Sequence, residues 1–105
     1  MKSKRSKATD IPQKVKKVVW ARDGGRCVIC GSAQAMPNAH YISRAHGGRG
    51  VPKNIVTLCV ECHGRYDNSD ERDNIGIQIR DYLQRCYPDW DENEIAYDKW
   101  AWTKR

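Results

Sequence analysis

Apolar residues recur at helical spacing in two parts of the chain. The first part begins after Asp10, a suitable N-cap, and ends at residues 24–25, two glycines that stop a helix. Its apolar positions Val15, Val18 and Val19 lie on one face of a helix, and we expect this face to pack inward. The pattern therefore predicts a helix that leads directly to the first cysteine.

The second helical pattern lies in the last third of the chain and ends at Pro88. After it, Asp91 and Glu94 have the spacing of a capping box, which predicts one more short helix. The positions that recur in the second pattern are Ile75, Ile79, Tyr82, Leu83 and Cys86.

The middle of the chain has the pattern of strands and turns instead. The segments "AHYIS" and "IVTLC" favour strands, and the glycine-rich segment "RAHGGRGVPKN" between them predicts a loop. A short helix is expected in "VECHGRYDN", directly after the second strand. The local order is therefore strand, loop, strand, helix, which indicates an α+β fold in a single small domain.

Charge is distributed unevenly along the 105 residues, whose net charge is +6. Residues 1–17 carry seven Lys or Arg and one acid, whereas residues 66–105 carry six basic and ten acidic residues. A basic leading segment suits a polyanion such as nucleic acid, although it can equally serve only for solubility. Residues 1–9 are polar and charged without apolar periodicity, so we predict a disordered basic tail there.

Four of the five cysteines form two Cys-x-x-Cys pairs, Cys27 with Cys30 and Cys59 with Cys62. Two such turns can complete the closed tetrahedral site of a structural Zn²⁺ ion. The alternatives are unliganded thiols and two disulfides. No apolar run suggests a secretory signal or a membrane span, so we expect a reducing cytosol, where this spacing favours metal. Cys86, the fifth cysteine, is expected to be a small core residue.

Two of the three histidines lie close to this predicted zinc clamp. His63 follows Cys62 directly, and His40 lies on the first predicted strand. If the strands form a hairpin and the helix packs across it, both histidines can face one groove. The plain alternatives are a half-buried strand histidine at position 40 and a ligand swap between Cys62 and His63. His46, in the glycine-rich loop, is expected to be exposed or to face a substrate.

The segments "RCVICG", "AHYISRAHGG" and "KNIVTLCVECH" together resemble the HNH endonuclease family, in its zinc-containing, phage-type form. The resemblance extends from about Arg22 to Tyr66. It rests on the order and approximate spacing of the four cysteines, His40, Asn54 and His63. It implies a small ββα-metal core that is stapled by a structural zinc ion on the four cysteines, is flanked by N- and C-terminal helices, and cleaves phosphodiester bonds in DNA.

The resemblance also implies a role for each polar residue. His40 corresponds to the general base that activates water, and Asn54 to the residue that orients the loop and thereby the base. His63 corresponds to the helix ligand of a catalytic Mg²⁺ or Mn²⁺ ion, which stabilises the phosphate and the leaving oxygen. An alkaline optimum would fit a histidine base. Residues 10–69 are then the nuclease domain, and residues 70–105 a helical extension packed on it.

Position 39 departs from the family pattern. The residue before the base is often an Asp or His that supplies a second metal ligand, but here it is Ala39. Three outcomes follow: His63 holds the cation with water and phosphate oxygens, Asn38 or His46 substitutes, or the site is weakened. Mg²⁺ keeps most of its waters, which favours the first outcome.

Two functions therefore stay open. The first is a metal-dependent endonuclease, with duplex DNA as the expected substrate, and the second is a zinc-stapled DNA-binding module with weak or no catalysis. A cytoplasmic location, a monomer and an association with phage packaging machinery fit either function. Four basic residues are expected to contact the DNA backbone, although each can equally be a solvated surface charge. They are Arg44, Arg49, Lys53 and Arg65.

Overall fold

Two antiparallel strands and four α-helices make up the part of the chain, residues 4–96, that this computed structural model describes. This architecture confirms the predicted α+β fold. No helix in that range has the length and apolar character of a membrane span. In chain order the elements are α1 (Lys4–Thr9), α2 (Gln13–Arg22), β1 (Ala35–His40), β2 (Ile55–Cys59), α3 (Val60–Asn68) and α4 (Arg72–Cys86), with 3₁₀ turns at Arg44–His46 and Glu92–Glu94.

Helices cover both faces of the sheet, which is why every residue of β2 is buried. Successive side chains of a strand point to opposite faces. Ile55 packs with Val15 and Val19 of α2 in a small cluster, whereas Val56 and Leu58 belong to the main core. That core also contains Tyr66 of α3 and the buried apolar residues of α4, so α3 and α4 lie on the face opposite α2.

The register of the two strands shifts by one residue within β1, at a bulge that includes Pro37. Proline has no N–H to donate, so a bulge tolerates it better than a regular ladder. Beyond the bulge, Ala39 lies opposite Val56 and His40 lies opposite Ile55. Opposed residues share a face, so Ala39 faces the main core while His40 faces the side of α2 and the N-terminal segment.

Asp23 directly follows α2, and its buried carboxylate makes contacts with α2, β2 and α4. Its side chain is fully buried and accepts hydrogen bonds from the Tyr82 hydroxyl of α4 at 2.6 Å and from the Thr57 N–H of β2 at 2.9 Å. The Arg22 guanidinium contacts the same carboxylate at 2.7 and 3.1 Å, and it also donates to the carbonyl of Ile55. This network ties α4 to the sheet and to α2.

The N-terminal segment differs from its prediction. We expected residues 1–9 to be disordered, yet Lys4–Thr9 form α1 and Thr9 is buried. The Gly50 N–H donates to the carbonyl of Ala8, and a Cβ at position 50 would lie 1.8 Å from the Asp10 carbonyl oxygen. Close backbone contact with a distant loop therefore holds this polar segment, and composition alone does not reveal such a contact.

Several predicted details also differ. Val18 was expected to face inward but is 51% exposed. Pro12 rather than Asp10 precedes the first turn of α2, and Asp10 pairs with Arg44. Cys86 is half-buried at the end of α4 and lies outside the main core. Strand β1 begins at Ala35, four residues before the predicted strand at "AHYIS".

The last predicted helix is described only in part. Its first residues form the 3₁₀ turn Glu92–Glu94, where the Asp91 side chain accepts a hydrogen bond from the Asn93 N–H. The remaining residues of that prediction, 97–102, lie outside the described part of the chain.

Replacing Asp23 by Ala is expected to lower the free energy of unfolding by about 3 kcal/mol or more, because the largely buried Arg22 guanidinium loses its carboxylate. Tyr82→Phe removes one hydrogen bond to the same carboxylate and is expected to cost about 1 kcal/mol. Urea unfolding of the metal-loaded protein, followed by circular dichroism, measures both. An Asp23→Ala variant as stable as the wild type would contradict this role.

Candidate active site and metal centre

Four cysteine sulfurs converge at one end of the sheet. The sulfurs of Cys27, Cys30, Cys59 and Cys62 all lie within 4.8 Å of one another, and none forms a disulfide. The first pair comes from the turn before β1, while Cys59 ends β2 and Cys62 lies in the first turn of α3. The predicted Cys-x-x-Cys pairs therefore form one site that can hold a metal ion.

The thiols influence one another strongly. Burial opposes ionisation of Cys27, but hydrogen bonds from the backbone at Cys30, Cys59 and Ile29 outweigh it and lower the pKa of Cys27 to about 7. Burial, together with the neighbouring sulfurs, raises the pKa of Cys62. A bound cation would bring all four cysteines to the thiolate form, because it favours the thiolate of every ligand. A closed set of four sulfurs suits a structural ion such as zinc, or iron.

His40 and His63 line one groove, with a volume of about 700 Å³. His40 ends β1, whereas His63 lies in α3 directly after the last cysteine of the cluster. The Tyr66 hydroxyl, one turn beyond His63, donates a hydrogen bond of 2.5 Å to the carbonyl of Tyr41. This bond ties α3 to the residue that follows His40, so the two histidines are held in a fixed relation.

The imidazole of His40 is half-buried, and its Nε2 lies 2.8 Å from the carbonyl oxygen of Thr9. A carbonyl oxygen can only accept a hydrogen bond, so this contact requires the proton on Nε2 and leaves Nδ1 unprotonated in the neutral ring. Burial is the largest cause and lowers the pKa of His40 below its ordinary value of 6.5, with Arg44 and His63 acting in the same direction. The hydrogen bond to the Thr9 carbonyl and the charge of Asp10 oppose this shift without reversing it. The neutral form therefore dominates at pH 7.

His63, like His40, is half-buried in the groove. Its side chain is 30% exposed, and its Nε2 lies 3.3 Å from Oδ2 of Asp67, one turn later on α3. Asp67 lines the same groove and its side chain is 54% exposed. The groove thus offers an imidazole nitrogen and a carboxylate oxygen side by side.

Asn54 is completely buried immediately before β2 and holds the loop between the strands. Its side-chain oxygen accepts from the Ile42 N–H at 2.8 Å, and its amide donates to the carbonyls of Ile42 and Arg49 at 3.1 and 2.9 Å. A Cβ at Gly48 would lie 1.6 Å from the Ile42 carbonyl oxygen, so the loop closes tightly. Asn54 therefore fixes the backbone of the loop that follows His40.

Comparison with known proteins identifies this arrangement. Residues 27–69 match the family model of HNH endonuclease. This segment is an HNH domain. It contains the four clustered cysteines together with His40, Asn54 and His63. The four cysteines fit the zinc-containing type that the sequence resembles.

The chain is also similar to Anaredoxin from Nostoc sp. (strain PCC 7120 / SAG 25.82 / UTEX 2576). The two are 29% identical over 59 residues, which cover 55% of this chain and 78% of Anaredoxin. No solved structure matches the chain.

Only one of the four predicted phosphate contacts lines the groove of the HNH domain. Arg44 does so, and its guanidinium pairs with Asp10 at 2.6 Å. The other three lie elsewhere: Arg65 pairs with Glu71, Lys53 pairs with Asp89 at 2.9 Å, and Arg49 is half-buried.

Two basic residues that sequence reasoning missed, Lys16 and Arg72, line the groove with Arg44. Lys16 belongs to the basic N-terminal part, but its position in α2 gives no sign that it faces the groove. Arg72 opens α4, far from the HNH motif in sequence. Both come from outside residues 27–69, so the groove is built partly by the flanking helices.

The two residues proposed to replace a ligand at position 39 are placed differently. Asn38 is exposed and lines the groove with His40. His46 is exposed in the 3₁₀ turn, where its Nδ1 lies 2.7 Å from the Ser43 hydroxyl, and it lines a neighbouring groove instead. His46 is therefore poorly placed to share an ion with His63.

The metal centre makes a direct prediction for the cysteines. Cys27→Ser is expected to reduce the bound zinc from about one ion per chain to a small fraction and to unfold the domain, because structural zinc binding contributes to folding. Cys86→Ser, outside the cluster, is the matched control and should keep the ion. Elemental analysis and near-ultraviolet circular dichroism measure both. Iron instead of zinc, visible as charge-transfer absorption, would contradict the assignment of the metal.

Proposed function

We propose that this protein is a metal-dependent endonuclease that hydrolyses phosphodiester bonds in DNA, with His40 as the general base. The observation that supports this most is the contact of 2.8 Å between Nε2 of His40 and the Thr9 carbonyl oxygen, from which the tautomer of His40 follows. Its Nε2–H is committed to the Thr9 carbonyl, and its Nδ1 is free of a proton in a groove that His63 also lines. An imidazole held in this way can accept a proton from water at Nδ1.

The surroundings of His40 favour this role. Because burial holds its pKa below 6.5, the ring is neutral at pH 7 and available as a base. Asn54 positions the base indirectly, since it fixes the backbone of Ile42, two residues beyond His40. The Thr9 carbonyl holds the ring orientation from outside the HNH segment.

His63 is proposed to hold the divalent cation. Its imidazole is partly exposed in the groove and lies beside a carboxylate. The carboxylate oxygen suits Mg²⁺ or Mn²⁺, whereas an imidazole nitrogen favours transition-metal ions over Mg²⁺. A divalent cation bound there would neutralise charge on the phosphate and stabilise the leaving oxygen. Arg44, Lys16 and Arg72 add positive charge along the same groove, which favours the approach of a DNA backbone.

A zinc-stapled DNA-binding module with weak or no catalysis is the second candidate. Two observations favour it: Ala39 has no donor atom, and Arg44 already pairs with the Asp10 carboxylate. The name Anaredoxin also does not denote a nuclease. Both functions require a folded domain with its metal, so only a cleavage assay separates them.

Replacing His40 by Ala is expected to slow plasmid nicking in the presence of Mn²⁺ about 10²- to 10⁴-fold, the usual contribution of a general base. His46→Ala is the matched control, because His46 lies outside this groove, and it should nick at nearly the wild-type rate. Equal nicking by the His40→Ala variant would overturn the base assignment. A wild type that binds DNA without nicking it under any divalent ion would support the binding module.

The pH dependence tests the state of His40. At saturating Mn²⁺, kcat/KM for a DNA oligonucleotide should rise with pH below about 6.5 and level off above it, because the buried base has already lost its proton there. The expected pH profile is therefore a plateau, whereas the sequence suggested an alkaline optimum. A rate that keeps rising from pH 7 to 9 would contradict the lowered pKa. The rising limb should be absent in His40→Ala.

A further inference from the structure

An exposed tryptophan lies near the C-terminal end of α2, outside the groove that His40 and His63 line. Trp20 is 41% exposed. A Cβ at Gly25 would lie 3.0 and 3.2 Å from two atoms of the indole ring, so the ring rests on the backbone of that glycine. Gly25 has a φ of +68°, and its N–H donates to the Trp20 carbonyl at 3.0 Å. The turn after α2 therefore supports the indole from one side, while much of the ring stays in contact with solvent.

The surface beside Trp20 carries positive charge. The indole borders a pocket of about 430 Å³, and of the described residues that line this pocket one is charged, Arg26, and none is acidic. The Arg26 guanidinium donates to the carbonyl of Gly31 at 3.2 Å, and a neutral acceptor of this kind leaves its charge in place. Lys17, three residues before Trp20 on α2, is exposed as well. The pocket therefore favours a ligand that combines negative charge with a flat apolar group.

The pocket beside Trp20 continues the line of the groove of the HNH domain. Lys16 lines the groove one turn before Trp20 on α2, and residues four apart in a helix are neighbours on its surface. On the other side, Asn38 of β1 lines the groove, and Ala33, just before β1, lines the pocket. Four helical residues span about 6 Å, which is about the length of two stacked nucleotides in one strand. A nucleic-acid strand that lies in the groove can therefore reach the indole.

We propose that Trp20 is a stacking platform for an unpaired base of the DNA; this inference rests on the proposed function, since it requires a DNA strand in the groove. An aromatic ring beside positive charge is the combination by which proteins bind single strands, because every base has a π face and every nucleotide a phosphate. In an uninterrupted duplex the bases stack on one another. The platform therefore favours single-stranded DNA, or DNA with an unpaired segment next to the cleavage point, over plain duplex.

The test measures binding of the zinc-loaded full chain to a fluorescein-labelled oligothymidine and to an abasic strand of the same length. Fluorescence anisotropy without added Mg²⁺ or Mn²⁺ gives both affinities. The abasic strand keeps every phosphate but has no base to stack. Trp20→Ala is expected to weaken binding to the oligothymidine about 5- to 150-fold, the usual range for the loss of a stacked base. Binding to the abasic strand, and to a duplex of the same length, should change by no more than about twofold.

Two further variants separate stacking from plainer roles of the indole. A single exposed aromatic side chain is ordinary on a protein surface, and this one can simply cover the turn after α2. Trp20→Leu keeps an apolar side chain over Gly25 but has no π face, so it should lose affinity for the oligothymidine as Trp20→Ala does. Val18→Ala is the matched control, because Val18 is also exposed on α2 but does not line the pocket. It should bind both strands as the wild type does, and zinc content and circular dichroism show whether each variant is folded.

Three results would overturn the platform: equal weakening on the oligothymidine and the abasic strand, wild-type affinity in Trp20→Leu, or a wild type without measurable affinity for the oligothymidine. None of them contradicts the nuclease, because nicking of duplex DNA does not require the platform. The reverse failure is also distinguishable. If the wild type binds the oligothymidine through Trp20 but never cuts DNA, the platform stands while the proposed endonuclease falls.

Discussion

The convergence of four cysteine sulfurs within 4.8 Å is the constraint on which the rest of the structure depends. It joins the turn before β1 to the end of β2 and the start of α3, and so determines where α3 begins. Because His63 directly follows Cys62, the cluster places this histidine at the edge of the groove. At the other end of α3, the Tyr66 hydroxyl is bonded to the Tyr41 carbonyl. A helix of nine residues fastened at both ends leaves His63 little freedom relative to the strand that carries His40.

The positions of His40 and of the loop that follows it depend on hydrogen bonds rather than on the cysteine cluster. Asn54 makes three bonds to the backbone of the loop, and the Thr9 carbonyl holds the ring of His40. Thr9 lies outside residues 27–69, so the HNH segment alone does not contain every group that orients its own histidine. Gly50 allows this approach, because any larger residue there would collide with the Asp10 carbonyl. The N-terminal segment therefore completes the site, although its composition is that of a flexible tail.

Sequence patterns predicted those features that local chemistry determines. The spacing of the cysteines was enough to predict one metal centre, and the β-branched residues of "IVTLC" were enough to predict strand β2. Features that depend on distant contacts were not predictable. Val18 has the right spacing for the core, but the small cluster under α2 consists of Val15, Val19 and Ile55 with Ile11 packed against them, and Val18 is exposed.

The partners of charged residues also depend on distant contacts and could not be predicted from the sequence. Lys53 and Arg65 were expected to contact phosphate. In the structure Lys53 pairs with Asp89, which is distant in sequence, and Arg65 pairs with Glu71, which directly precedes α4. Asp67 is the opposite case, because its pairing with His63 appears only when α3 brings the two side chains together. In the proposed nuclease, the inward-facing Ala39 then has a physical consequence. A cation that His63 held without a ligand from position 39 would have fewer protein donors and would be held less tightly. Substrate phosphate would supply the oxygens that the protein does not, which couples metal binding to DNA binding.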